Sequence, residues 1–221
     1  MDYFIGIDIG TGSIKAVAID LSGEPLHTTQ AGYPTISPEP TYSEQDPELI
    51  WQGFVKSLVD LVNHFGTKPR GIALSSAMHS VIPVDEQGNP LMNMIIWADN
   101  RSSAVARSLV ETKLGEKIYA ETGTPIHAMT PVCKIQWLRE NQRDLFNKAH
   151  KFISIKEFVW YKLFGVFETD YSIASATGLL DIKKLTRHTD ALEYCGLSPE
   201  KLSIPVEVTH SPNELKNDAS S

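Results

Sequence analysis

The amino-acid sequence predicts an α/β domain built on a mixed sheet, and two patterns carry that reading. Residues 3–32 read as strand, short Gly turn, strand, turn and strand, the pattern of an antiparallel meander. Beyond them, helical and strand-like segments alternate along the chain. Size and composition agree. The 221 residues are 42% hydrophobic, enough to bury about 70% of the unfolded surface and too apolar for a disordered chain.

Each element has its own local reason. Tyr3 to Ile9 is apolar and ends at Gly10-Thr11-Gly12; Ser13 to Asp20 alternates; Leu21 to Pro25 is a turn, and a third strand is predicted from Pro25 to Gly32. Proline-rich Tyr33 to Pro40 reads as a loop. Asp46-Pro47-Glu48 opens a helix, with Asp as N-cap and Pro in the first turn. Leu49, Ile50, Phe54, Leu58, Leu61, Val62 and Phe65 continue it until Gly66 stops it. Short strands are predicted at Arg70 to Ser75, Val81 to Asp85 (closed by the turn Glu86 to Pro90) and Met94 to Trp97. Helices are predicted from Ser102 to Leu114, Gly115 to Glu121, Val132 to Asn141 and Arg143 to Asn147. A last strand, Lys151 to Ser154, precedes a helix from Ile155 to Phe164. From Leu197 the pattern loses order, and polar Asn213 to Ser221 is expected to fray.

Charge and composition narrow the function classes. A net charge of −7 offers no basic field for a phosphate backbone, so no nucleic-acid partner is expected. No apolar run approaches the ~20 residues of a membrane helix, and the first residues lack a signal-peptide pattern. Cys133 and Cys195 form neither a disulfide framework nor a metal-ligand spacing, which suits reduced thiols and a cytoplasmic protein.

Three segments can carry chemistry. In Ile5-Gly6-Ile7-Asp8-Ile9-Gly10-Thr11-Gly12-Ser13, a carboxylate ends an apolar strand and a Gly turn with two hydroxyls follows. Glycines let backbone N–H groups approach phosphate oxygens, Thr11 and Ser13 add hydroxyls, and Asp8 suits Mg²⁺. The segment is neither a Walker loop nor a dinucleotide fingerprint, and on local spacing alone an ordinary Gly-turn hairpin fits equally well. In Leu74 to Asp85 a strand breaks at small residues to present Met78-His79. His79 can reach a sugar hydroxyl or carboxylate, although a lone histidine is more often a satisfied structural one. In Trp97-Ala98-Asp99-Asn100-Arg101, ligand-competent side chains follow an apolar strand. An aromatic face with carboxylate and amide groups suits polyols, and Arg101 can grip a carboxylate in bidentate fashion. The structural alternative is that Asp99 or Asn100 caps the next helix and Trp97 is core. Asp170, with Ser172 and Ser175, reads as a capped turn, and Lys15 as a solvated strand residue.

Taken in order, the Gly6 to Ser13 hairpin, Met78-His79 and Trp97 to Arg101 resemble the N-terminal domain of the FGGY carbohydrate kinases. Asp46-Pro47-Glu48-Leu49-Ile50-Trp51 and Thr169 to Gly178 match as well. The resemblance implies an actin-like ATPase (ribonuclease H-like) domain, its mixed sheet beginning in an antiparallel three-strand meander with helices on both faces. It covers residues 1–205, leaving 206–221 as a tail toward an absent C-terminal domain. It implies ATP and Mg²⁺ as cofactors, with Asp8 at the metal and Thr11, Gly12 and Ser13 at the ATP phosphates. Met78, His79, Trp97, Asp99, Asn100 and Arg101 would bind the substrate. Met-His at the strand break is similar to the gluconokinase and xylulokinase branches, with gluconate the first substrate and xylulose the second. Arg101 would then face the sugar-acid carboxylate.

In that family a second domain supplies the catalytic base and the adenosine site, starting at a Gly-x-x-Asp segment that nothing in this chain matches. No catalytic base is therefore expected here, and the 221 residues alone should turn over little or no substrate. The missing domain is the main expected partner, and an apolar face left open by it would favour a homodimer. A non-catalytic sugar-binding module and an actin-like assembly protein are the alternatives from other classes.

Overall fold

The computed structural model describes residues 2–212 together with Leu215 and Lys216. Fraying of Asn213 to Ser221 therefore lies outside the described residues, those two excepted. The chain forms two compact units, one of Met1–Thr35 with Gln45–Ala77 and one of Ile36–Glu44 with Met78–Ser221. No linker marks that division in the sequence, because residues 36–44 of the second unit interrupt the first.

In the first unit the meander forms as its alternation requires. Strands β1 (Phe4–Ile9), β2 (Ser13–Ile19) and β3 (Pro25–Gly32) pair antiparallel, and β2 and β3 carry a register irregularity at Ala18/Ile19. The two-residue strand β4 (Glu44–Gln45) precedes helix α1 (Pro47–Phe65), which leads to β5 (Gly71–Ser76). Strand β5 lies parallel to β1, so the sheet runs β3-β2-β1-β5 and is mixed. Asp46 caps α1 by accepting from the Glu48 amide, and Gly66 ends it in the left-handed region at φ 64°. Ile5, Ile7, Ile9, Ile14, Ala16 and Ala18 are buried on one sheet face, and α1 contributes Ile50, Phe54 and Leu61. Of the helices expected on both faces, α1 covers this one; Phe4, Gly6, Asp8 and Ala73 stand exposed on the other. The small and charged residues of that face, Gly6, Asp8 and Lys15 among them, offer little to bury against a helix.

The second unit holds most of the helices. Its elements are β6 (Ile82–Val84), β7 (Met94–Ile95), α2 (Ser103–Val110), α3 (Lys113–Thr122), α4 (Pro131–Asn141), α5 (Arg143–Lys148), β8 (Lys151–Ile153), α6 (Ile155–Phe164), β9 (Glu168–Asp170), α7 (Tyr171–Ser175), β10 (Leu180–Asp181), β11 (Thr186–Arg187), α8 (Thr189–Cys195) and β12 (Ile204–Val206). Strands β6 and β8 pair antiparallel, and β12 pairs in parallel with β9. The core gathers Val105, Leu109, Ile118, Val132, Leu138 and Phe152. Both cysteines are buried and free.

The structure departs from the sequence expectation in several places: strands β4, β9, β10 and β11 and helix α8 were not predicted. The helix predicted to run to Leu114 breaks four residues earlier. Thr112 accepts from the Gly115 amide and so starts α3, while its hydroxyl donates to the Leu109 carbonyl. Past Leu197 the chain also keeps more order than its pattern announces: a short 3₁₀ turn at Pro199–Lys201 leads into β12. Three residues with little apolar periodicity become a strand because β9 supplies the partner. Asp170 caps α7 through the Ser172 and Ile173 amides and pairs with Lys156, the structural role its setting suggested.

Phe54 is the largest side chain that α1 buries. Phe54→Ala is expected to cost about 3–5 kcal/mol, against less than about 1 kcal/mol for Phe4→Ala on the open face. Urea unfolding of both variants measures the difference.

Candidate functional site

The Gly-turn hairpin between β1 and β2 lies in the first unit. Between β1 and β2 the Gly10 amide donates to the Ser13 carbonyl at 3.0 Å, closing the turn. Its carbonyls are tied inward one after another. Gly10 O accepts from the Tyr33 hydroxyl, Thr11 O from the Gln45 side-chain amide, and Gly12 O from the Tyr33 amide at 3.2 Å. Gln45, almost fully buried, also donates to the Thr35 hydroxyl. A trans peptide points its N–H away from its C=O, so these ties aim the Thr11 and Gly12 N–H groups to the opposite side. Ser13 Oγ accepts from Gln30 at 3.0 Å. Asp8 is exposed at the end of β1, with Oδ2 only 3.4 Å from where a Cβ on Gly10 would lie. Asp8 and Lys15 are register partners and, with Gly6, Leu74 and Ser75, line an open depression of about 410 Å³. Burial, and then the charge of Asp8, push the Tyr33 phenol up to about 12.

The other expected residues lie in the second unit, on two loops. Met78 is exposed, and His79 adopts φ 67°, a left-handed conformation rare outside glycine. The His79 ring shares a 2.9 Å hydrogen bond between Nδ1 and the Ala176 carbonyl. Its pKa is lowered by burial, which outweighs that hydrogen bond and is reinforced by Lys134 and His127. On the second loop Trp97 is 47% exposed and Asn100 is also exposed, its amide donating to the Ala98 carbonyl.

Asp99 and Arg101 point inward. Asp99 is fully buried. Its Oδ1 accepts from the Arg101 amide and from Nε, and its Oδ2 accepts from Arg101 Nη2 at 2.9 Å and from the Ser43 amide at 2.6 Å. Arg101 Nη2 also donates to Glu44 Oε1 at 2.6 Å, and the guanidinium lies 3.7 Å from the centre of the Tyr42 ring, with Trp137 beyond. Burial pulls against its charge, but the hydrogen bonds to Asp99 and Glu44 win and raise its pKa. Nε and Nη2, the fork expected to face a ligand carboxylate, are thus engaged within the protein. The helix that follows takes no side-chain cap from Asp99 or Asn100; the Asn100 carbonyl accepts from Ser103 instead.

Sequence reasoning missed Tyr33, Tyr42, Glu44, Gln45 and Lys134. Glu44 and Gln45 lie between a proline loop and a helix cap, where no periodicity or motif marks them. Lys134 had one visible signal, a cation in the apolar run Val132-Cys133-Lys134-Ile135. Among the described residues no group of three or more His, Cys, Asp or Glu side chains gathers as a metal centre. None of the described helices is long and apolar enough to cross a membrane.

The fold matches solved sugar-kinase structures and is of the actin-like ATPase class. The chain aligns with a gluconate kinase from Lactobacillus acidophilus at a TM-score of 0.95 and 32% identity, covering 99% of this chain and 44% of that one. A ligand-bound xylulose kinase from the same organism gives 0.96 at 32% identity, over 99% and 45%. The model of the FGGY family of carbohydrate kinases, N-terminal domain, matches residues 3–221, and the chain belongs to that family. A gluconokinase from Bacillus subtilis (strain 168) is 41% identical over 208 residues, 94% of this chain and 40% of that protein. The chain thus spans about two fifths of the length of such relatives.

Two variants test this geometry. Arg101→Met leaves Asp99 and Glu44 buried without their cation and is expected to cost about 3–5 kcal/mol in chemical denaturation. Asp8→Asn removes a negative charge facing the Tyr33 phenol. It should lower that pKa from about 12, leaving it above the ordinary tyrosine value of about 10 because burial remains. Ultraviolet titration reads the change, and an unmoved Tyr33 would contradict the contact. Because the folded pKa is raised, the stability linked to Tyr33 is present below about pH 10 and is lost as pH rises through about 12.

Proposed function

We propose that this chain is the N-terminal, phosphate- and sugar-binding part of an ATP-dependent kinase that phosphorylates gluconate to 6-phosphogluconate. The observation that carries the substrate is the 41% identity to a gluconokinase over 94% of the chain. The reading divides the work between the two units. The hairpin supports it with outward N–H groups at Thr11 and Gly12 and a hydroxyl at Ser13, a donor set for ATP phosphate oxygens. Asp8 would hold Mg²⁺ as its one protein carboxylate; that ion takes few carboxylates and keeps several waters, so the lack of a larger acidic cluster among the described residues is no obstacle. When bound, Mg²⁺ would neutralise charge on the phosphates.

In the second unit, Met78, Trp97 and Asn100 are exposed and offer an apolar surface, an aromatic face and an amide to a polyol. His79 would contribute its ring edge. Asp99 and Arg101 belong to the sugar site chiefly by fixing the Trp97–Asn100 loop, and Arg101 meets a ligand carboxylate only with whatever donor capacity its internal partners leave. The base that accepts the sugar's hydroxyl proton would come from a C-terminal domain. The kinase is read as cytoplasmic.

Xylulose is the second reading, favoured by the equally close fit to a xylulose kinase structure. Calorimetric titration of the chain with gluconate, xylulose and ATP separates the two. Gluconate bound at least about tenfold tighter than xylulose, a difference of about 1.4 kcal/mol, is the expected result. The reverse order selects xylulose. Turnover by the 221 residues alone, well above background in a coupled assay, would overturn the assignment of the base to another domain.

A further inference from the structure

We propose that Lys134 is a positioning residue of the sugar site, an internal clamp that ties the Met78-His79 loop to the Trp97–Arg101 loop. Its side chain is wholly buried in α4, among Val132, Cys133 and Ile135. Nζ donates to the His79 carbonyl at 2.6 Å and to the Ile96 carbonyl at 2.8 Å. These two carbonyls stand at the roots of the loops: one belongs to the residue with positive φ, the other immediately precedes Trp97. A residue held in the left-handed region persists only where its surroundings over-determine it, and the amine supplies that constraint at His79. No other side-chain group among the described hydrogen bonds reaches both loops.

Burying an amine this deeply is costly unless it is hydrogen-bonded, so the clamp is a cost that packing alone does not explain. Burial pulls the Lys134 pKa down to about 7, with Asp99 and Cys133 opposing and Arg101 assisting; the His79 ring is the further titratable group at this point. A neutral amine keeps two N–H groups, which matches the two carbonyls it serves. The clamp therefore holds on both sides of neutrality. Because the folded pKa is depressed, the folded state binds fewer protons than the unfolded one between about pH 7 and the ordinary lysine value near 10.4, and this group's contribution to stability rises across that window.

The proposal rests on reading these loops as the sugar site, and the experiment separates the two ideas. Lys134→Met, close in volume and without donors, is compared with Lys134→Arg and with Ile135→Val, a control for simple core loss. Amide hydrogen exchange is followed at residues 77–80 and 96–101, with gluconate affinity alongside. In Lys134→Met both loops should exchange faster by about tenfold or more, with a similar loss in gluconate affinity, on the scale of one or two hydrogen bonds. Lys134→Arg should recover part of both, and Ile135→Val should move neither selectively. If neither parent nor variants bind gluconate or xylulose, the sugar reading fails and exchange alone judges the clamp. Unchanged exchange in a folded Lys134→Met, or equal acceleration in Ile135→Val, overturns it. Unchanged affinity where the parent binds removes its positioning role. Should Lys134→Met not fold, carbon-13 titration of the parent decides. The His79 and Ile96 carbonyl signals must both move with the Lys134 midpoint near 7, and an Ile96 signal that stays still refutes the contact.

Discussion

The second unit is organised around one buried ion cluster, in which Arg101 lies between Asp99 and Glu44 beneath the Tyr42 ring. Three charges removed from water are tolerable only when their hydrogen bonds are nearly complete. Here each carboxylate receives a guanidinium N–H, and Asp99 also receives the amides of Ser43 and Arg101. The requirement runs outward from the charges. It fixes the backbone at residues 43, 99 and 101, and with it the loop on which Trp97 and Asn100 stand open to solvent. A planar, five-donor guanidinium can serve two carboxylates at once, which a lysine at the same position cannot do with the same geometry.

The two loops of this unit thus rest on different supports. Salt-bridged side chains hold the Trp97–Arg101 segment, whereas backbone carbonyls held by Lys134 anchor its root and that of the His79 loop. Exposed side chains on buried polar anchors would suit the polyol site proposed for these loops. A polyol offers hydroxyls in fixed relative positions, and a loop that wanders by an ångström forfeits the hydrogen bonds that discriminate among them.

In the first unit the hairpin is shaped by the opposite economy. Its turn keeps few side-chain charges and instead fastens three successive carbonyls through Tyr33 and Gln45. Oriented backbone N–H groups bind anions without requiring a cation. With a net charge of −7, the chain would meet the proposed polyanion through peptide groups of this kind rather than through a basic side-chain field.

Most elements up to Phe164, among them the meander and helix α1 with its Asp46 and Gly66 ends, were legible in the sequence, as was the family resemblance. They depend on periodicities and caps confined to a few neighbouring residues. So were the candidate side chains by type and spacing. The sequence did not decide which way those side chains face. Arg101 looked like a hand for a ligand carboxylate, but Glu44, 57 residues earlier, meets it inside. Nothing in the sequence analysis singled out Lys134, whose role appears only when the tertiary fold brings two carbonyls to it. Strand β12 likewise exists because β9 is beside it, not because its own residues demand it. Local pattern determines what forms along the chain. Burial, and the need to pair every buried charge and carbonyl with a distant partner, determines what each residue then does.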